Sequence, residues 1–364
     1  MKFSRCEVFA KDNRQIMNRF LVGLLFASLL LSIPSIAATS PGTVQRIKVH
    51  AASLEGNLEG DSADRDVSIY LPPSYATDKH RRYPVVYFLH GFTDSDDKWY
   101  GPTKHWINLP TVIDKALQAA SNREIIFVTP NAFTRYQGSM YSSSVTTGDW
   151  EKFVSTELVA YVDANYRTIP KAASRGLAGH SMGGYGTLRI GMKHPEVYSS
   201  IYMLSACCIS ADFLRTKNNE DLAKATAVKD PAEVEKAQFL TKIILAASAA
   251  WSPNPNNPPM YLDSPGTTAA SQTEVFNKWT ANAPLAQIDQ YIDNLRSMKA
   301  IALDVGNADH GIKEATEELD KVLTSYKIPH FFEVYEGDHL SHIADRIETQ
   351  VVPFFSKNLS FDAK

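Results

Sequence analysis

The sequence predicts an α/β fold, with a mostly parallel central sheet covered by helices on both faces. Three observations carry that expectation. Short apolar runs of strand length recur along the chain, and segments with helical periodicity lie between them. Parallel neighbours need such crossovers, because a hairpin cannot join them. With 364 residues, 44% of them hydrophobic, the chain is long enough to bury one large core.

The elements follow in order. Residues 66–71 alternate like a strand and stop at Pro72-Pro73. Residues 84–89, Pro-Val-Val-Tyr-Phe-Leu, form the continuous apolar run of a strand covered on both faces. Further strands are expected at 124–128, 174–178, 200–204, 300–303 and 330–335. Trp150, Val154, Leu158 and Tyr161 share one helix face, as do Ile312, Ala315, Leu319, Val322 and Tyr326. From about 210 to 294 the alternation is lost. Residues 219–247 read as helical and polar, without a long apolar stripe, and 253–259 are dense in proline and asparagine. This segment is expected to be an insertion over the strand ends, a partial lid or wall.

The N-terminus is a different material. Lys11, Arg14 and Arg19 precede an apolar run at 20–33, and Ser35-Ile36-Ala37 supplies the small residues of a cleavage site. Residues 1–37 are expected to be a secretory signal peptide and 38–364 the mature domain, secreted or periplasmic. The apolar run is shorter than the ~20 residues that span a bilayer, so no stable membrane anchor is expected after cleavage. Cleavage would take the formal charge from the chain's −3 further negative, which with the absence of a basic run argues against a nucleic-acid partner. Only Cys207 and Cys208 follow the leader; they either close a strained vicinal ring or pack as small buried residues.

Chemistry concentrates at Gly179-His180-Ser181-Met182-Gly183, a G-x-S-x-G preceded by a short strand and followed by a glycine-rich helix start. A serine hydroxyl needs a structure that exposes it and a base that removes its proton. A sharp strand-to-helix turn does the first, and flanking glycines tolerate its close packing. In this topology an acid and then a histidine follow the serine along the chain. His339, after the last strand, is the expected base; His342 lies one turn further on. The acid is expected at Asp309 rather than Asp304, since a carboxylate inside a strand end braces its loop while one further along reaches a neighbouring loop. Asp338 is expected to be structural. The backbone N–H groups of Met182 and Phe92 are the expected oxyanion donors. No H-E-x-x-H or equivalent spacing suggests a metal, and no phosphate-binding glycine loop suggests a cofactor.

Residues 83–91 (Tyr-Pro-Val-Val-Tyr-Phe-Leu-His-Gly), 148–153 (Gly-Asp-Trp-Glu-Lys-Phe), Glu157-Leu158 and 179–186 (Gly-His-Ser-Met-Gly-Gly-Tyr-Gly) carry a resemblance. Together they resemble the putative-esterase family of α/β-hydrolases, which includes esterase D (S-formylglutathione hydrolase), the antigen 85 mycolyltransferases, and feruloyl and acetyl-xylan esterases. The likeness covers roughly 45–355. It implies the α/β-hydrolase fold, Asp309 as the last residue of Asp-x-Gly-x-x-Asp, and His339 as the histidine of Gly-Asp-His. It also implies an ester substrate, small or linked to a polysaccharide, with short acyl or aryl groups expected. An acyltransferase would share every catalytic residue. Formylglutathione hydrolases carry a cysteine in the loop that here reads Gly91-Phe92-Thr93-Asp94, which argues against a glutathione thioester. Trp99, Tyr100, Tyr136, Tyr141 and Trp251 are candidate aromatic walls.

Overall fold

The computed structural model describes residues 40–119, 121–210 and 219–362. The expected signal peptide lies outside the described residues. In chain order the strands are β1 (Thr43–His50), β2 (Asp64–Leu71), β3 (Val85–Leu89), β4 (Ile126–Pro130), β5 (Ser143–Ser144), β6 (Gly148–Asp149), β7 (Arg175–His180), β8 (Ser200–Leu204), β9 (Ala300–Gly306) and β10 (Phe331–Tyr335). Eight of them form one sheet in the order β1-β2-β4-β3-β7-β8-β9-β10, and β5 pairs with β6 in a separate ribbon. The β1–β2 and β2–β4 pairs are antiparallel, and every pair from β4 to β10 is parallel.

Strand β3 shows why the central strands read as unbroken apolar runs. Val85, Tyr87 and Leu89 enter the core on one face, while Val86 and Phe88 enter the core on the other. The helices at 150–165 and Met182–Lys193 cover the first face. Helix Leu109–Ala116 and the C-terminal helical stretch at 343–358 cover the second. The order reverses between β3 and β7, and in open α/β sheets the crevice beyond the strand ends at such a switch point holds ligands.

Two features differ from the sequence expectation. Strand β1 does not read as a strand because most of it is exposed; Arg46 and Lys48 pair with Asp66, and His50 with Asp64, on β2. Between β8 and β9, helices Asn219–Ala227 and Ala269–Asn282 are indeed largely polar, but Phe239–Trp251 is not. Ten of its residues, among them Ile243, Ile244, Leu245 and Trp251, are buried. The polar residues before it mask this apolar helix when 219–247 is read as one segment. In the proline- and asparagine-rich run, Asn257, Pro258 and Pro259 border a cavity of about 330 Å³ with Ala225, Lys229 and Asp263.

Candidate active site

Ser181 stands between β7 and helix Met182–Lys193 with φ 57° and ψ −117°, a conformation non-glycine residues seldom adopt. The surroundings hold it there. The Ser181 N–H donates to the Leu204 carbonyl at 3.0 Å, and the Ser181 carbonyl accepts from the Cys207 N–H at 3.2 Å. The turn is tight enough that a Cβ on Gly183 would lie 1.9 Å from the Leu89 oxygen, and one on Gly179 would lie 2.3 Å from the Gly183 oxygen. Glycine at both places is a packing requirement.

Two loops at the far side of the sheet meet this turn. The loop after β9 and the loop after β10 are laced together: the Asn307 N–H donates to the Tyr335 carbonyl, the Ala308 N–H to the Gly337 carbonyl, and the Gly337 N–H to the Asn307 side chain. This lacing brings Asp309 and His339 to one place. His339 Nδ1 lies 2.8 Å from Asp309 Oδ2, and His339 Nε2 lies 2.8 Å from Ser181 Oγ. A carboxylate can only accept, so Nδ1 carries the imidazole proton and Nε2 accepts from the serine hydroxyl, an assignment made from the network. Asp309 is buried, while His339 is a third exposed (34%), so of the pair only the imidazole faces solvent.

The competing residues are placed elsewhere. Asp304 is fully buried within β9, accepting from the Tyr202 hydroxyl and Arg346 Nε, both at 2.8 Å. Among the described residues its Oδ1 has no hydrogen-bond partner, and burial pushes its carboxyl up to about 6 despite the Arg346 charge. Asp338 accepts from the Leu340 and Ser341 N–H groups and the Ser341 hydroxyl, closing the turn that carries His339. His342 is exposed and pairs with Asp345.

The residues expected to supply oxyanion donors converge on Ser181. A Cβ on Gly91 would sit 3.5 Å from the Ser181 Cβ, so the loop after β3 passes directly beside the serine. Gly138 presses Phe92 and Met182 together: a Cβ there would lie 2.7 Å from both the Phe92 ring and the Met182 sulfur. Among the described residues the Phe92 N–H makes no hydrogen bond. His90 braces this loop, its Nε2 accepting from the Ala132 N–H at 2.8 Å and its Nδ1 lying 2.8 Å from the Gly91 carbonyl.

Sequence reasoning assigned no role to three further neighbours. His180 is buried under His339, and Trp106 packs edge-on against it. Phe239, at the start of the buried insertion helix, is 61% exposed and meets the Phe92 ring at 5.9 Å. The five candidate wall aromatics, Trp99, Tyr100, Tyr136, Tyr141 and Trp251, are all buried core residues. Only the position of a large exposed ring next to a functional loop distinguishes the two sets, and sequence does not show it. Cys207 and Cys208 are buried with their sulfurs 2.8 Å apart. Among the described residues no His, Cys, Asp and Glu cluster is arranged to hold a metal ion, and no helix is long and apolar enough to cross a membrane.

A family model described as Putative esterase matches residues 62–342. An esterase of Mycobacterium tuberculosis is 32% identical over 136 residues, 37% of this chain and 27% of that protein. An endo-1,4-beta-xylanase/feruloyl esterase of Xylanibacter ruminicola is 28% identical over 141 residues, 38% of this chain and 19% of that protein. The chain thus spans well under a third of these relatives' length. Among solved structures, a ferulic acid esterase superposes with a TM-score of 0.61 at 21% identity, covering 88% of this chain and 99% of that one. An S-formylglutathione hydrolase from Staphylococcus aureus superposes with a TM-score of 0.57 at 13% identity, covering 87% and 100%. These two likenesses establish the α/β-hydrolase fold.

Proposed function

The chain belongs to the putative esterase family, and we propose that it is an exported serine hydrolase of carboxylic esters, working through an acyl-enzyme on Ser181. The observation that carries this reading is the unbroken line of hydrogen bonds from Ser181 through His339 to Asp309. In that role His339 Nε2 takes the serine proton as Oγ attacks the ester carbonyl, then returns it to the leaving alcohol. Asp309 holds the tautomer and stabilises the imidazolium that forms. The backbone N–H groups of Phe92 and Met182 receive the developing oxyanion, a role to which the free Phe92 N–H is suited. Water repeats the cycle on the acyl-enzyme. Residues 1–37 act as the export signal, and N-terminal sequencing of the exported protein is expected to begin at Ala38.

Short acyl or aryl esters are the proposed substrates. The exposed Phe239 ring meets the half-buried Phe92 ring at 5.9 Å, on the loop that passes beside Ser181, and this aromatic pair supports a short acyl or aryl substrate. The test is a p-nitrophenyl ester series from acetate to palmitate with methyl ferulate and acetylated xylan alongside, run on wild type and Ser181→Ala. Wild type should prefer acyl chains below about eight carbons or the aryl ester, and Ser181→Ala should be inactive. Equal activity in the two proteins would defeat the serine mechanism; a palmitate optimum would defeat the short-chain assignment.

A further inference from the structure

We propose that His180 is a positioning residue that clamps the loop carrying the base to the loop carrying the Phe92 donor, keeping His339 Nε2 within reach of Ser181. The inference rests on the serine-hydrolase reading above. It starts from an uncommon placement: His180 is the last residue of β7, directly before Ser181, and its ring is wholly enclosed. Its Nε2 lies 2.9 Å from the His339 backbone carbonyl. A carbonyl can only accept, so Nε2 carries the proton and donates it. The two imidazole rings also lie face to face, tilted by 38° with centroids 4.8 Å apart. His339 is thus held twice by one neighbour, through its backbone and through its ring.

The opposite edge of His180 faces the other loop. A Cβ on Gly91 would lie 3.5 Å from His180 Nδ1, and among the described residues that nitrogen has no hydrogen-bond partner. A side chain at Gly91 would begin in ordinary van der Waals contact with this edge, so the loop before Phe92 runs directly alongside the ring. Behind the ring, Trp99 and Trp106 pack at 6.1 and 5.9 Å between centroids. Asp94 fixes that wall, accepting from Trp99 Nε1 at 2.9 Å and lying 3.0 Å from His105 Nε2. One imidazole therefore fills the space between the base loop and the donor loop.

The chemistry of the ring suits this position. Burial, reinforced by the neighbouring His339 ring, pushes the His180 imidazole down to about 3, so it stays neutral when His339 gains a proton during turnover. A permanent cation there would oppose the imidazolium that catalysis requires. A neutral donor four bonds from Cα anchors the carbonyl without that cost. Orienting a base within the reach of its proton is worth large factors, since a displacement near 1 Å costs about 10²-fold.

The test compares His180→Gln, whose amide N–H falls near the Nε2 position, with His180→Asn, whose amide is too short, and with His180→Leu, which keeps bulk and loses the donor. Steady-state kinetics on the best ester from the wild-type series give kcat and KM separately, with thermal unfolding as the control. Gln is expected to keep kcat within about fivefold of wild type. Asn and Leu are expected to lose about 50-fold or more in kcat with KM changed less than about threefold, the pattern of an interaction that matters in the transition state. Wild-type kcat in Asn or Leu would overturn the proposal, as would a Gln variant no better than Asn. Should Leu fail to fold, the Gln–Asn pair decides alone. Absence of turnover in the wild type itself would overturn the hydrolase reading instead, so the two failures are separate.

Discussion

Two carboxylates leave the same strand and meet opposite fates. Asp304 sits inside β9, wholly buried, with Tyr202 and Arg346 as donors and one oxygen unpartnered among the described residues. Asp309 stands five residues on, past the strand end, and reaches His339 on the next loop. The difference is one of reach rather than of chemistry. A side chain within a parallel strand faces its flanking helices, whereas a loop laced to its neighbour can deliver a carboxylate across the strand end. The same lacing predicts the largest effect. Asp309→Asn should lower kcat by about 10⁴-fold, because an amide that can also donate no longer fixes the imidazole tautomer and carries no charge to stabilise the imidazolium, while the melting temperature changes little. A folded Asp309→Asn enzyme with near wild-type kcat would remove Asp309 from the proposed mechanism.

Asp304→Asn should invert that pattern. Arg346 keeps Glu333, but it and Tyr202 lose a buried acceptor of full charge, which costs about 1–3 kcal/mol in stability. Turnover at 25 °C should stay within about threefold. Denaturant unfolding together with kcat measures both. If Asp304→Asn abolished turnover in a stable protein, the contrast between the two carboxylates would fail.

The contrast also marks what could be read from the chain alone. Strands β3, β7, β8 and β9 are legible because residues buried on both faces leave near-continuous apolar runs, and the G-x-S-x-G lies at the end of one of them. Strand β1 is not, since six of its eight residues are exposed and only Val49 of the eight is buried. Helix Phe239–Trp251 is obscured by the polar residues before it, and with it the exposed Phe239 that meets Phe92. His180 was in view as a letter of the motif, but its contact is a carbonyl 159 positions away in the chain. Local patterns report burial and periodicity; they do not report which loop a strand end will touch.

A buried histidine beside the site offers a third case between the two carboxylates. The folded-state value of His180, about 3, lies below its ordinary 6.5. The unfolded chain therefore takes up the proton first, and stability present above pH 6.5 is lost as pH falls toward 3. Asp304, pushed up to about 6, works in the opposite sense between its ordinary 3.8 and that value. The His180 contribution is isolated by comparison with His180→Gln. Wild type should lose stability relative to that variant below pH 6.5, by at most about 1.4 kcal/mol per pH unit. Parallel stability curves for the two proteins between pH 4 and 7 would show that the imidazole is not held neutral by burial.

The smallest effect belongs to a third carboxylate, Asp338, which adjoins the base in sequence yet bonds only to its own turn. Its Oδ1 accepts from two backbone N–H groups and the Ser341 hydroxyl, and these bonds hold its carboxyl below the ordinary value. The side chain is exposed, so charge contributes little and the shape of the turn contributes most. An asparagine keeps an oxygen in the same place, whereas an alanine frees both N–H groups. Asp338→Asn should therefore remain within about twofold of wild-type kcat, and Asp338→Ala should fall by about three- to tenfold as His339 loses part of its fixed position. Both should fold as wild type does. Were Asn as impaired as Ala, the charge of Asp338 would be acting on His339 directly, and the division between a carboxylate that orients the base and one that only shapes its loop would have to be redrawn.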